Sequence, residues 1–377
     1  MRKLLFLVLI AGVCWYMVHD KYPNFDINDA VGQFQSELTA LKDDPDFSNL
    51  IDRLSDDINQ LGVQLNESIK QLPQNKEEIK STLLEKPALS APSAQIFSIY
   101  NIELGDKKAE VEKELGQAKR STYNEYGVKW YAYHKNYQHF LMVSYDKSNE
   151  VVGLYTNQDL ISSSKGIKLG TPKDKVLKEL GKPMDRLQKG LVYYLLPKER
   201  DYDLFLLGDS YTTVFYDKHQ KNTVTAIQMI KKDIEREKED FYTEGNKQLE
   251  EGFEYQLFDL TNAARVQHGQ PVLTWDSQVK GTAQKHSKDM AVNSFFDHTN
   301  LKGQSPFDRM EEDHITYRSA GENIAYGQLS SIFAHEGLMN SLGHRENILK
   351  PDFRLLGVGV AFNSESQPYY TENFYTK

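Results

Sequence analysis

The chain has 377 residues, which is long enough for two globular units with connecting segments. Hydrophobic residues make up 39% of it and aromatic residues 11%, so real hydrophobic cores can form. The formal net charge of −9 argues against nucleic acid as a partner, because phosphate binding requires a basic face.

Two cations and an apolar run open the chain. Arg2 and Lys3 precede the uncharged residues 4–18, as in a secretory signal. The run spans roughly 22 Å, less than the roughly 30 Å hydrocarbon core, but no small-x-small cleavage site follows it. We predict that residues 1–20 form an uncleaved signal anchor with the rest of the chain outside. A cleaved signal peptide and a lipoprotein at Cys14, the only cysteine of the chain, are the alternatives.

Residues 21–95 are polar with spaced apolar residues. Between Leu50 and Leu72 these recur mostly at every third or fourth position, which predicts an amphipathic helix acting as a stalk. A disordered spacer is the alternative. Residues 86–93 are rich in Pro, Ala and Ser, a composition typical of a linker.

Residues 96–231 contain an internal repeat. Ile102-Glu103-Leu104-Gly105 recurs as Ile167-Lys168-Leu169-Gly170, and each copy continues into a helical segment that ends at Gly116 or Gly181. Strands are predicted after each helix, at residues 128–133, 140–145, 151–155, 191–196, 203–207, 213–216 and 224–229. We therefore predict one α+β domain built from two similar halves, without a catalytic constellation.

Residues 232–251 are highly charged and predict a solvated connector helix between two domains. Because linker-like segments flank each domain, residues 96–231 and the C-terminal region 252–377 are each expected to have a core of their own.

Three polar residues of the C-terminal region occupy unusual settings. His298 follows Phe295-Phe296-Asp297, Glu322 lies between Gly321 and Asn323-Ile324, and His344 follows Leu342-Gly343. A carboxylate and two imidazoles among apolar neighbours are costly unless they pair, bind a metal or do chemistry.

These segments carry a family resemblance. With Thr261-Asn262-Ala263-Ala264-Arg265 upstream and Tyr369-Tyr370-Thr371-Glu372-Asn373-Phe374 at the end, residues 257–375 resemble a bacterial CAP domain, also called SCP or PR-1. Residues 96–231 resemble the CAP-associated N-terminal domain of some Gram-positive envelope proteins. The resemblance implies an α-β-α sandwich in which His298, Glu322 and His344 converge in one cleft. Asn262 and Arg265 match a polar pair of the family's first helix, for which we expect a structural role.

The same resemblance implies two kinds of chemistry for the cleft. Two imidazoles and a carboxylate form a ligand set that suits Zn²⁺ or another divalent cation, with His298 and His344 as the metal ligands. Without metal, the three groups would hydrogen-bond to one another, or Glu322 would act as a general base. Many animal relatives place a second glutamate where this chain has Ser341. That difference disfavours a hydrolase mechanism based on four residues.

We therefore expect a membrane-tethered binding or scaffold module of the cell envelope. Its partners would be the membrane, through the N-terminal helix, and a cell-wall or envelope component. A metal-dependent hydrolase of peptide or cell-wall material and a carrier of lipids or small molecules are the alternatives. His335-Glu336 begins like the zinc-protease helix motif, but Met339 stands where its second histidine would be.

Overall fold

The computed structural model describes residues 84–377. The predicted signal anchor and the predicted stalk helix lie outside the described residues. Within residues 84–377, no helix is both long and apolar enough to cross a membrane. The predicted linker runs along the first domain without helix or strand. There the backbone N–H groups of Ser93, Ala94 and Gln95 donate to the carboxylate of Glu103 at 2.6–2.9 Å.

The first domain consists of two halves, each of which begins with a short strand and a helix and continues in antiparallel strands, with one strand more in the second half. The first half contains β1 (Phe97–Ile99), α1 (Lys108–Leu115), β2 (Arg120–Tyr123), β3 (Lys129–Lys135), β4 (Gln138–Tyr145) and β5 (Val151–Thr156). The second half contains β6 (Ile161–Ser163), α2 (Lys173–Leu180), β7 (Arg186–Lys189), β8 (Val192–Leu195), β9 (Tyr202–Leu207), β10 (Ser210–Asp217) and β11 (Thr223–Lys231). Both helices end as predicted, since Gly116 and Gly181 follow them at positive φ.

A seven-stranded antiparallel sheet unites the two halves, in the order β2-β3-β4-β5-β11-β10-β9. Each half contributes a meander, and the meanders meet where β5 pairs with β11 from Thr156 opposite Ile227 to Gly153 opposite Ile230. The short pair β1–β6 and the hairpin β7–β8 lie outside this sheet. The repeat seen in the sequence is therefore a structural repeat.

The sheet is covered on both faces, which explains why β4, β5 and β10 are almost entirely buried. On one face, Val111 of α1 and Val176 of α2 belong to a cluster with Val143, Leu154 and Ile227. A second cluster joins strand residues to residues of the second domain: Trp130, Phe140, Tyr155, Phe215 and Ile230 with Leu260, Ala263 and Ile332. Each domain thus has a core cluster of its own, and the second domain in addition covers the other face of the sheet, a contact that the sequence did not predict.

The second domain is the predicted three-layer α-β-α sandwich. Its helices are α4 (Lys247–Gln267), α5 (Ser277–Asn293), α6 (Pro306–Glu312), α7 (Ser331–Asn340) and α8 (Leu342–Leu349). Its strands are β12 (Thr274–Trp275), β13 (Ser319–Tyr326), β14 (Leu355–Phe362) and β15 (Pro368–Thr376), in the sheet order β12-β14-β15-β13. Helices α4, α7 and α8 pack on one face through the side chains of Leu356, Val358 and Val360. On the other face, α5 approaches so closely that a Cβ on Gly357 or Gly359 would lie 2.2 Å from a backbone nitrogen of α5.

The connector is not one helix. Nine residues separate α3 (Lys232–Glu237) from the start of α4 at Lys247. The Asn246 side chain caps α4 by accepting hydrogen bonds from two of its backbone N–H groups. Nor is it fully solvated. Glu235 is buried and pairs with the buried ammonium of Lys189, and Tyr126 donates a hydrogen bond of 2.8 Å to it. The charge pattern predicted a continuous exposed helix and missed both the cap and this buried pair.

Candidate functional site

His298 and Glu322 are in direct contact. His298 lies in the segment between α5 and α6, and Glu322 lies on β13, the edge strand of the four-stranded sheet. His298 Nδ1 is 2.9 Å from Glu322 Oε1. The imidazole side chain is 47% exposed, whereas the carboxylate is 1% exposed. A buried acceptor therefore orients a ring that reaches the solvent.

Arg309, which the sequence analysis missed, completes this contact. Its Nη2 is 2.7 Å from Glu322 Oε2, and its Nη1 donates to the carbonyl oxygens of His298 at 2.7 Å and Gln304 at 3.0 Å. Both partners of the ion pair are buried, with side-chain exposures of 6% and 1%. One guanidinium thus fixes the carboxylate and also the backbone that carries His298.

A capped helix start places Arg309. Ser305 and Asp308 form a reciprocal capping box at α6, and Pro306 occupies its first turn. The sequence Ser305-Pro306-Phe307-Asp308 was the signal that could have predicted a helix here, with Arg309 in its second turn. It would not have revealed the partner of Arg309.

His344 belongs to the same region, although it is oriented by different groups. It lies near the start of α8, where its Nδ1 is 2.8 Å from Ser341 Oγ. Burial, followed by the charge of nearby His298, lowers the pKa of His344. The ring is therefore neutral at neutral pH. Ser341 acts here as the hydrogen-bond partner of His344.

A buried polar chain connects the strand of Glu322 to the helix of His344. Asn323 Nδ2 donates to the carbonyl oxygen of His344 at 3.2 Å and to Glu372 Oε2 at 3.1 Å, and Asn347 Nδ2 donates to Asn323 Oδ1 at 3.0 Å. Burial raises the pKa of Glu372 to about 7. This network holds β13, β15 and α8 in fixed relation beneath the two histidines.

The arrangement departs from the predicted three-residue ligand set. Both carboxylate oxygens of Glu322 already have partners, His298 and Arg309. Among residues 84–377, no group of three or more His, Cys, Asp or Glu side chains is placed to hold a metal ion. Only the two imidazoles of the predicted set are left as candidate metal ligands. Each ring contacts a neighbour through Nδ1, and Nε2 is the atom that could bind a metal ion.

Exposed apolar residues lie within three sequence positions of both histidines. Phe296 and Leu301 lie on either side of His298 and are 48% and 65% exposed, and Leu342, two residues before His344, is 59% exposed. The ring of Phe296 lies 5.9 Å from that of Tyr326, at the end of the strand that carries Glu322. Polar donor atoms thus lie among apolar groups that face solvent, as in many ligand sites.

Asn262 and Arg265 of α4 are structural, as predicted. Asn262 exchanges two hydrogen bonds with the backbone of Leu273, and Arg265 donates to the carbonyl oxygens of Pro271, Ile348 and Lys350. They fix the loops around α4 and α8 and do not touch His298, Glu322 or His344.

Comparisons with known proteins agree with this fold. Residues 104–241 match the family described as CAP-associated N-terminal, and residues 258–374 match the Cysteine-rich secretory protein family, CAP. The membrane protein YlbC of Bacillus subtilis is 31% identical over 289 residues, which cover 72% of this chain and 82% of that relative. The chain belongs to the CAP family.

Solved structures of two other bacterial proteins align with both domains of this CAP protein. An extracellular SCP-domain protein from Bacillus anthracis aligns over 78% of the present chain and 100% of its own, with 25% identity and a TM-score of 0.64. A cysteine-rich secretory protein from Staphylococcus aureus aligns over 78% and 99%, with 20% identity and a TM-score of 0.58. The second likeness shows the fold alone.

Proposed function

We propose that this CAP protein is a membrane-tethered, extracytoplasmic binding module whose ligand site is the cleft of His298, Glu322 and His344. The apolar run near the N-terminus supports the tether, and the relative YlbC is named a membrane protein. The similar protein of Bacillus anthracis is named extracellular. A cell-wall or envelope component is the ligand class that suits this location.

Both carboxylate oxygens of Glu322 already have partners, and this observation favours ligand binding over hydrolysis as the function of the site. A general base needs a carboxylate oxygen that can reach the water it activates. In this chain Arg309 and His298 take both oxygens, and the carboxylate is 1% exposed. Glu322 is thereby suited to orient His298, whose exposed ring is the group that meets a ligand. The flanking apolar side chains favour a ligand with an apolar part beside a polar one.

We further propose that His298 and His344 hold Zn²⁺ through their Nε2 atoms. Histidine ligands of metals usually give their other ring nitrogen to a carboxylate or another polar group, as Glu322 and Ser341 provide here. The lowered pKa of His344 supports the role, because only the neutral ring is a ligand. With two protein donors, the bound cation would offer its remaining positions to an anionic or polar group of the ligand.

Calorimetric titration of Zn²⁺ into the purified full chain tests the metal site. We expect about one equivalent in the parent protein and weaker binding below about pH 6.5, as imidazoles protonate. His298→Ala and His344→Ala should abolish binding, whereas His314→Asn should not, because it removes an exposed imidazole and keeps a residue type that tolerates the positive φ at this position. Unchanged zinc binding in both cleft variants would overturn the metal proposal. Hydrolysis of a peptide or wall substrate that is lost in Glu322→Gln would overturn the binding-module proposal.

A further inference from the structure

The hairpin β7–β8 carries a dense set of exposed apolar side chains. Its turn contains Gly190, at φ +55°, and Leu191, which is 97% exposed. On the following strand Val192, Tyr193 and Leu195 are 52%, 56% and 76% exposed. Four large apolar side chains within five residues are unusual at a protein surface and mark an interaction site.

Tyr193 and Leu195 lie on the outer side of the hairpin, whereas the opposite side is anchored except at Val192 next to the turn. Leu187 is buried with Leu196, Leu204 and Tyr211, and Tyr194 opposite it stacks on Phe241 at 5.0 Å. Successive strand residues face opposite sides, so Tyr193 and Leu195 share the outer side with Arg186 and Gln188, their partners in the ladder.

Polar contacts fix the hairpin to the domain at both ends. Next to the turn, the buried ammonium of Lys189 pairs with Glu235. At the base, the Arg200 guanidinium donates to the carbonyl oxygens of Met184, Pro197 and Tyr202. The apolar side chains of the outer side are therefore presented on an anchored support.

The charges around the outer side are mainly positive. Residues 182–200 contain five cationic and two acidic residues. Arg186 pairs with Asp185 at 2.9 Å and Lys189 pairs with Glu235, whereas Lys182 and Lys198 are exposed near the apolar residues. The whole chain, in contrast, has a net charge of −9. An apolar tip with flanking cations complements an anionic lipid surface, since the tip enters the interface and the cations remain at the level of the headgroups.

We propose that the β7–β8 hairpin is a second membrane contact, which inserts Leu191, Tyr193 and Leu195 into the interface of an anionic bilayer. The contact lies in the CAP-associated domain and is separate from both the N-terminal tether and the cleft. It holds the folded part of the chain against the membrane surface. Tyrosine is common at this depth of the bilayer, which suits Tyr193.

Site-specific fluorescence in the full chain tests this contact. In a Cys14→Ser background, an environment-sensitive dye is attached at Gln188→Cys, on the outer side of the hairpin. A second protein carries it at Lys147→Cys, in the exposed β4–β5 turn of the other half. Both are reconstituted into vesicles of phosphatidylcholine alone and of equal parts phosphatidylcholine and phosphatidylglycerol, with and without spin-labelled lipid.

We expect blue-shifted emission and lipid quenching at position 188 in the anionic vesicles, with little change at position 147. Leu191→Asp with Leu195→Asp should remove the response, because two charges replace the inserted side chains. Lys182→Gln with Lys198→Gln should shift the equilibrium between inserted and free hairpin by about fivefold per charge, since each cation near an anionic surface contributes about that factor. Thermal melts should stay unchanged, as none of the four residues is buried.

Emission typical of water at position 188 in both kinds of vesicle would overturn the proposal. A response that is equal in both vesicles and grows with the protein-to-lipid ratio would also overturn it, since that result identifies a second copy of the chain as the occupant. Neither result depends on zinc or on the cleft residues, so failure here leaves the proposed function of the cleft standing.

Discussion

Replacing Arg309 by leucine would leave Glu322 as a buried carboxylate without its cationic partner. The two side chains are 6% and 1% exposed and lie 2.7 Å apart, so water cannot readily replace the guanidinium. Removing one member of a buried ion pair costs about 3–5 kcal/mol. The loss is large compared with a total stability of about 5–15 kcal/mol for a typical folded protein. The carbonyl oxygens of His298 and Gln304 lose a charged donor as well, which frees the segment that carries His298.

Urea unfolding of the full chain, followed by intrinsic fluorescence, measures this cost as a change in the free energy of unfolding. Arg318→Leu is the matched control, because it removes an exposed arginine nearby in the sequence. Its effect should stay within about 0.5 kcal/mol. The double variant Arg309→Leu, Glu322→Leu should be more stable than Arg309→Leu alone, since the uncompensated charge is gone. If Arg309→Leu costs less than about 1 kcal/mol, or if the two substitutions are simply additive, then the ion pair does not organise this site.

Two further predictions concern stability. Burial raises the pKa of Glu336 to about 7, so the folded state retains a proton that the unfolded chain releases, and stability should fall as pH rises from about 4.5 to 7. Between pH 4.5 and 8, the free energy of unfolding of Glu336→Gln should rise relative to that of the parent by on the order of 3 kcal/mol. The exposed Glu346→Gln should show no such rise. Equal pH profiles of stability for the parent and Glu336→Gln would contradict this prediction. Gly252→Ala should destabilise by about 1–3 kcal/mol in urea unfolding, because its Cβ would lie 2.1 Å from the carbonyl oxygen of Tyr123 on β2. Gly281→Ala, at a helical position with open space, should stabilise by about 0.5–1 kcal/mol, and the opposite order of the two would refute the close packing of α4 on β2.

Local signals in the sequence predicted both helices and seven of the eleven strands of the first domain, and they missed the short strands β1, β2, β6 and β7. The helices stop at Gly116 and Gly181 because the backbone there has a positive φ combined with an extended ψ, a conformation that glycine adopts without steric cost. The repeat around Gly105 and Gly170 predicted two equivalent halves. It did not predict how the halves join, because the pairing of β5 with β11 depends on contacts between residues far apart in the sequence.

The spacing of apolar residues in the sequence also does not identify the element against which a buried face packs. Leu260 and Ala263 lie three residues apart on one face of α4, but such spacing cannot distinguish a core within one domain from one shared with a neighbour. The prediction of a single exposed helix for the connector was wrong for a related reason. Alternating charges favour an exposed helix, and the buried pair of Lys189 with Glu235 joins residues 46 positions apart.

The site itself was found by resemblance and not by spacing. His298, Glu322 and His344 lie on a loop, a strand and a helix, so no periodicity brings them together. The role of Arg309 was missed because an arginine in a short helix is usually solvated. Its burial results from the turn at Gln304 and from the edge strand β13, both of which are properties of the folded sandwich.

The hydrogen bond from Tyr155 to Glu336 spans 181 residues, and it has a consequence for biosynthesis. Tyr155 leaves the ribosome long before Glu336 does. All seven strands of the first sheet precede α7 in the chain, so the apolar surface that Leu260, Ala263 and Ile332 cover can form before α7 is synthesised. The order of synthesis therefore allows the first domain to serve as a template on which the CAP sandwich assembles.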